Sequence, residues 1–116
     1  VLSRGVDRLY ALFRAAQPLW AARAVLPFMI VAEELIWRGV VQEALQRRFS
    51  PPVAVVLAGT TYALGHAPVG SPLLVLLALA CGLFWSALRA RTGSLIPGLI
   101  SHFVWDLLVF VLLPLA

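Results

Sequence analysis

The chain has 116 residues, 62% hydrophobic and 12% charged, with a mean hydropathy of +0.97 and a formal net charge of +4. Soluble domains are about 45–50% apolar and about 25% charged, so this composition excludes an ordinary soluble domain and places one domain in a membrane. The basic residues are all arginines, set between apolar runs and forming no patch with stacking aromatics, which excludes nucleic acid as a partner and leaves orientation in the lipid bilayer as their role.

Residues 1–22 read as an amphipathic helix lying at the membrane interface. Val6, Leu9, Tyr10, Phe13, Ala16 and Trp20 recur at helical spacing, with Arg4, Asp7, Arg8, Arg14 and Gln17 on the other side. The same pattern suits a helix packed on another part of a longer protein. The chain opens on Val1 rather than methionine, so a segment of a longer protein is expected. No basic region followed by an uninterrupted apolar core marks a cleaved signal peptide. Cys81 is the one cysteine; it reads as a small buried or lipid-facing residue, with no internal disulfide and no paired-cysteine zinc site open to it.

Four apolar segments follow, at about residues 25–45, 52–66, 73–88 and 95–114. A tilt-free span needs about 20 residues, so the middle two are short for simple spans. Breaks are marked by Ser50-Pro51-Pro52, by Pro68 to Pro72, and by Arg91-Thr92-Gly93-Ser94. Arg47 and Arg48 fall in the first connection, Arg89 and Arg91 in the third, and none in the second. That alternation predicts about four transmembrane helices, all α, with two cytoplasmic loops. Arg23 and the basic first helix point to the opposite face. Counted from the arginine side at 1.5 Å per residue, Glu33 lies about 18 Å deep, Asp106 about 16 Å, His102 about 10 Å and His66 about 22 Å. In a core about 30 Å thick, that is the middle third or just outside it.

The first apolar segment carries Glu33, Glu34 and Arg38. A carboxylate at the bilayer centre costs roughly 2.5–3.5 kcal/mol on insertion scales, so such groups face a polar interior and mark function. Glu34 and Arg38 stand four apart and can pair on one helix face. Glu33 points about 100° away and enters a different environment, which lets two neighbouring carboxylates divide structural and base duties. The second segment holds Tyr62 and His66, again four apart; alone, such a histidine is more often a satisfied interior residue. The last segment places His102 and Asp106 on one face, a pair able to bind a metal or to orient the imidazole. A charge cluster or a hydrogen-bonded pair that only holds the bundle together is the bland alternative for each.

EExxxR, then an aromatic-xxx-His, then Hxxx(Asn/Asp), in order over successive apolar segments, resembles the CPBP family of intramembrane proteases, which includes the type II CAAX prenyl endopeptidases and the bacterial Abi proteins of bacteriocin processing and self-immunity. The likeness covers residues 27–110. It also takes in Arg38-Gly39, His66-Ala67-Pro68 and Ile96-Pro97. The resemblance implies a protease core over residues 23–116 and hydrolysis of a membrane-associated substrate, prenylated in part of the family. It assigns Glu33 as the general base that activates water, with His66 binding or polarising that water. His102 and Asp106 would complete the site, and Glu34 and Arg38 would support it. A divalent metal such as zinc, held by Glu33, His66, His102 and Asp106, and a metal-free glutamic mechanism both remain open. There is no HExxH motif.

Two positions depart from the family's pattern. Tyr62 stands where phenylalanine is usual and keeps the aromatic body. Asp106 stands where asparagine is common; an ionised aspartate has no hydrogen to donate to an oxyanion and suits a metal or an imidazolium better. A proton-coupled transporter or channel subunit is disfavoured by the lack of an inverted repeat. A non-catalytic peptide-binding immunity or scaffold protein is disfavoured by the full motif set. All-arginine usage points to a bacterial inner membrane.

Overall fold

In the computed structural model, which describes residues 2–16 and 19–112, the chain is helical throughout. Helix α1 spans Leu2–Ala16. Helix α2 (Leu19–Glu34) runs through a π-helical segment, Leu35–Val41, into the short α3 (Gln42–Gln46). Then come α4 (Pro51–Gly65), a 3-10 turn (Ala67–Val69), α5 (Pro72–Thr92) and α6 (Ile96–Asp106), which continues as a π segment, Leu107–Leu112.

The chain breaks where the turn residues predict. Helices α4, α5 and α6 each open with proline in the first turn, where its missing N–H costs nothing. Ser71 caps α5 by accepting from the Leu74 N–H at 3.3 Å. Gly93 closes α5 at φ 68°, a left-handed conformation open to glycine, and donates its N–H to the Arg89 carbonyl. Arg89 and Arg91 sit in that last turn, where the helix dipole favours cations.

The four-span expectation needs correction. Among the described residues two helices are long and apolar enough to cross a bilayer, Pro51–Val69 and Pro72–Thr92. The stretch Ile96–Val109 is apolar but shorter, and residues 113–114 of the expected last span lie outside the described residues. The expected first span carries Glu33, Glu34, Arg38 and Glu43, and its helix changes winding at Leu35. Charges placed for a site interrupt the apolar run that a simple span requires.

The interior is polar and the exterior apolar. The largest fully buried side chains are Arg38, His102, Gln42, Glu34, Ser71 and Ser86, whereas Phe28, Val40, Leu64, Leu76 and Ile100 are exposed. Water penalises that inversion; hydrocarbon favours it.

The α4–α5 hairpin forms the centre of the packing, with α3, the Leu35–Val41 π segment and α6 against it, and α2 packed on α6. Small residues let the two helices approach closely: Ala54, Ala58 and Gly59 on α4, and Ala78, Gly82 and Ser86, four apart, on α5. A Cβ at Gly82 would lie 2.8 Å from Tyr62 Cδ1 and 3.1 Å from the Gly59 carbonyl oxygen. Gly82→Ala is therefore expected to lower the unfolding midpoint in detergent by the equivalent of about 1–3 kcal/mol. An unchanged midpoint would mean that the crossing relaxes freely.

Helix α1 lies along α5, with Gly5 beside Leu73 and with Leu9 and Tyr10 buried, while Arg4, Asp7 and Arg8 are exposed. The Tyr10 hydroxyl donates to the Val109 carbonyl at 2.6 Å. The side chains of Phe13, Arg14, Ala16, Gln17 and Trp20 lie outside the described residues.

Candidate active site

Glu33 and Glu34 end α2 where the π winding begins. The π segment is closed by bonds of the Gln42 N–H to Trp37 O type, five residues apart. Its wider turn offsets the roughly 40° by which residues four apart drift around an α-helix. Glu34, Arg38 and Gln42 consequently share one buried line, at 0%, 1% and 0% exposure. Glu33, one step round, is about a quarter exposed at its side chain and faces the other way.

Glu33 is the point of convergence. The Tyr62 hydroxyl donates to its Oε2 at 3.1 Å. His102 Nε2 lies 3.6 Å from the same oxygen, and His66 Nε2 lies 3.9 Å from Oε1. Both histidines are oriented by a second contact at Nδ1. His66 Nδ1 is 2.8 Å from the Tyr62 carbonyl, which only accepts, so Nδ1 carries hydrogen and Nε2 points towards Glu33. His102 Nδ1 likewise donates to Glu34 Oε1 at 2.9 Å, leaving Nε2 between Glu33 and Asp106 Oδ2, the latter at 3.4 Å. The His102 ring stacks on Trp85, with centroids 3.9 Å apart and planes 18° apart. Trp85 in turn donates through Nε1 to Ser101 Oγ at 3.1 Å.

Glu34 is held behind this group by Arg38, whose Nη1 is 3.3 Å from Oε1. The guanidinium covers the Tyr62 ring at 4.3 Å and Trp85 at 5.4 Å, and Nη2 donates to the Gly82 carbonyl at 3.4 Å. Gly98 leaves room for Glu34: a Cβ there would sit 3.2 Å from Oε2.

A cavity of about 400 Å³ opens over Glu33. Tyr62, His66, His102 and Asp106 join Glu33 in its lining, and Leu26, Met29, Ile30, Leu74, Leu77 and Trp105 supply apolar walls. Glu34 and Arg38 do not line it. Four of the six residues singled out from the sequence thus share the cavity, and two stand behind it. Among the described residues no three His, Cys, Asp or Glu side chains are placed to grip one metal ion.

A family model described as type II CAAX prenyl endopeptidase Rce1-like matches residues 15–108. The chain belongs to this family. The match spans every side chain that converges on Glu33 and starts within the last turns of α1. Membrane integration and a CAAX-type protease are the family's properties. Neither the search of curated proteins nor that of solved structures found a match.

Three contributors escaped the sequence reading. The Tyr62 hydroxyl, discounted in favour of its ring, is bonded to Glu33. Trp85, inside an apolar run, underlies His102. Gln42 is buried and donates to the Ser86 carbonyl at 2.7 Å. A signal existed for the last: Glu34, Arg38, Gln42 and Gln46 are polar at four-residue spacing in an apolar segment.

Proposed function

We propose that this chain is the core of an intramembrane endopeptidase that hydrolyses a peptide bond of a membrane-associated protein, using water activated between Glu33 and His66. The observation that carries the reading is the convergence of Tyr62, His66 and His102, from α4 and α6, on one carboxylate at the floor of an apolar cavity. A separation of 3.9 Å between Glu33 Oε1 and His66 Nε2 is too long for a direct bond and within reach of one bridging water. Glu33 takes one proton from that water as its oxygen adds to the substrate carbonyl carbon, and His66 Nε2 accepts a hydrogen bond from the O–H that stays with the adduct. The carbonyl electron pair moves onto oxygen. His102, protonated at both nitrogens, offers Nε2–H to that oxyanion, with Glu34 and Asp106 as counter-charges. Collapse of the adduct breaks the C–N bond, and Glu33 returns the proton to the leaving amine.

Glu34 and Arg38 act through His102, fixing its ring and countering its charge. Asp106 beside Nε2 suits an imidazolium, which makes the departure from asparagine consistent with this role. The route is read as metal-free, with cleavage expected to continue in the presence of a chelator; loss of cleavage on chelation would favour the metal-dependent alternative. The apolar walls suit a lipid-modified or an unmodified apolar peptide, and the family's name favours a prenylated CAAX substrate. Helix α1, with its exposed Arg4 and Arg8, would be the interfacial element beside a core over residues 23–116, in a bacterial inner membrane. A peptide-binding protein without chemistry would need no such set of groups aimed at one carboxylate.

The test is to map new N-termini of membrane proteins in host cells expressing the full-length protein or its Glu33→Gln variant. Termini that vanish in the variant at equal protein levels are expected. Identical maps would overturn the enzyme reading in favour of a binding protein. The Tyr62 hydroxyl offers a finer check. Tyr62→Phe keeps the ring under Arg38 and removes only the donor to Glu33, so kcat is expected to fall about tenfold with KM and folding little changed. A kcat equal to the parent's would make the hydroxyl a bystander.

A further inference from the structure

Among the described residues, six buried side-chain polar atoms lack a hydrogen bond: Glu34 Oε2, Arg38 Nε and Nη1, Gln42 Oε1, Ser86 Oγ and Arg89 Nε. All six lie on one seam. Glu34, Arg38 and Gln42 form its first wall, four residues apart along α2, the π segment and α3. Ser86 and Arg89, three apart on α5, form the second wall. The walls face each other, since Arg38 Nη2 donates to the Gly82 carbonyl and Gln42 Nε2 to the Ser86 carbonyl.

One end of the seam is exposed and strongly basic. Gln46, bonded to Gln42 Nε2 at 2.9 Å, is exposed, as are Arg47, Arg48 and Arg91. The other end is Glu34, whose Oε1 holds His102 Nδ1. Donors and acceptors alternate between these ends: the Arg89 N–H, the Ser86 hydroxyl, the Gln42 carbonyl oxygen, the Arg38 N–H groups and the Glu34 carboxylate. Arg38 Nη1 has its 3.3 Å ion pair with Glu34 and no hydrogen bond.

A buried polar atom left unpaired costs about 1–3 kcal/mol, and hydrocarbon offers no partner. Unpaired polar atoms within a bundle are served by internal water, which makes about three bonds to such groups. Chance would scatter six such atoms over the bundle. Their alignment, with alternating polarity and an exposed end, matches the bonding of a molecule that both donates and accepts.

We propose that this seam binds a file of water molecules running from the arginine-rich end of the bundle to the Glu34–His102 pair. It is a polar route to the site, separate from the apolar cavity. The inference rests on the peptidase reading for its purpose, because each hydrolysis consumes a water and an apolar peptide filling the cavity would close that side. Substrate then enters over Glu33, water is replenished from behind His102, and the histidine stands between the two routes.

Silver ions, close to water in size and reactive with thiols, test the seam without any turnover. The full-length protein would carry Cys81→Ala, replacement of any cysteine outside this segment, and Glu33→Gln, and would be reconstituted in vesicles. Ser86→Cys and, separately, Gln42→Cys are exposed to silver and then unfolded, and the surviving thiol is labelled with a maleimide. Each seam position is expected to be consumed at least about tenfold faster than Ala63→Cys, an equally buried position in the apolar cluster of α4. Should one seam variant fail to fold, the other carries the measurement. Reaction at the seam no faster than at Ala63→Cys would overturn the proposal. Fast seam reaction in a protein whose parent cleaves nothing would leave the water file standing and remove the peptidase reading instead.

Discussion

Glu33→Gln is expected to lower kcat by about 10³-fold, with substrate capture and folding retained. The amide keeps the shape of the carboxylate, and its oxygen still accepts from the Tyr62 hydroxyl. What it loses is the ability to take a proton from water. A positioned base contributes roughly 10²–10⁴-fold, and Glu33 is the one carboxylate in contact with Tyr62, His66 and His102 together. The measurement is turnover of a membrane peptide by the full-length protein in vesicles. Because Glu33 and His66 act on one water, adding His66→Ala to Glu33→Gln should cost little more than either change alone. Full additivity would show that they serve separate steps. A glutamine variant within about threefold of the parent would remove Glu33 as the base.

The second large effect falls on stability. Arg38→Met leaves Glu34 fully buried beside His102 without its guanidinium, and it strips the cation from the faces of Tyr62 and Trp85. Breaking a buried ion pair from one side costs about 3–5 kcal/mol, because the remaining charge is left uncompensated. A fall of that size in unfolding free energy in mixed micelles is expected. Arg38→Lys should recover only part of it, since an ammonium neither spans two rings nor reaches the Gly82 carbonyl while pairing with Glu34. Glu34→Gln combined with Arg38→Met should be closer to the parent in stability than Arg38→Met alone, while losing activity because His102 loses the carboxylate that holds its ring and counters its charge. If the double variant is as unstable as the single one, the guanidinium's packing on the two rings outweighs its pairing with Glu34.

How the bundle handles water and charge follows from these contacts. Glu33, the proposed base, faces an apolar cavity. Glu34, its proposed support, faces the polar seam. Adjacent positions diverge because an α-helix turns about 100° per residue. One dipeptide thereby serves two environments.

Hydropathy, the proline and glycine breaks, and the order of the three motifs were enough to read an all-helical membrane chain and its family. These are local properties: helix ends follow from residues within one turn, and burial in lipid from composition. Four of the six candidate residues meet at one cavity, and all stood out in the sequence because charge in an apolar segment is costly wherever it occurs. The number of spans was not, since counting apolar runs cannot register that charges and π winding interrupt the first. Nor was the value of the Tyr62 hydroxyl, the Trp85 platform or the Gln42–Ser86 contact. Each depends on which helices cross and how closely, and that was set by Gly59 and Gly82, which bring α4 and α5 within contact. The sequence by itself determined the helical membrane character, the family and the candidate residues for the chemistry. The tertiary structure alone decided which atom of each faces which partner, because hydrogen-bond direction and tautomer are properties of contacts between helices far apart in the chain.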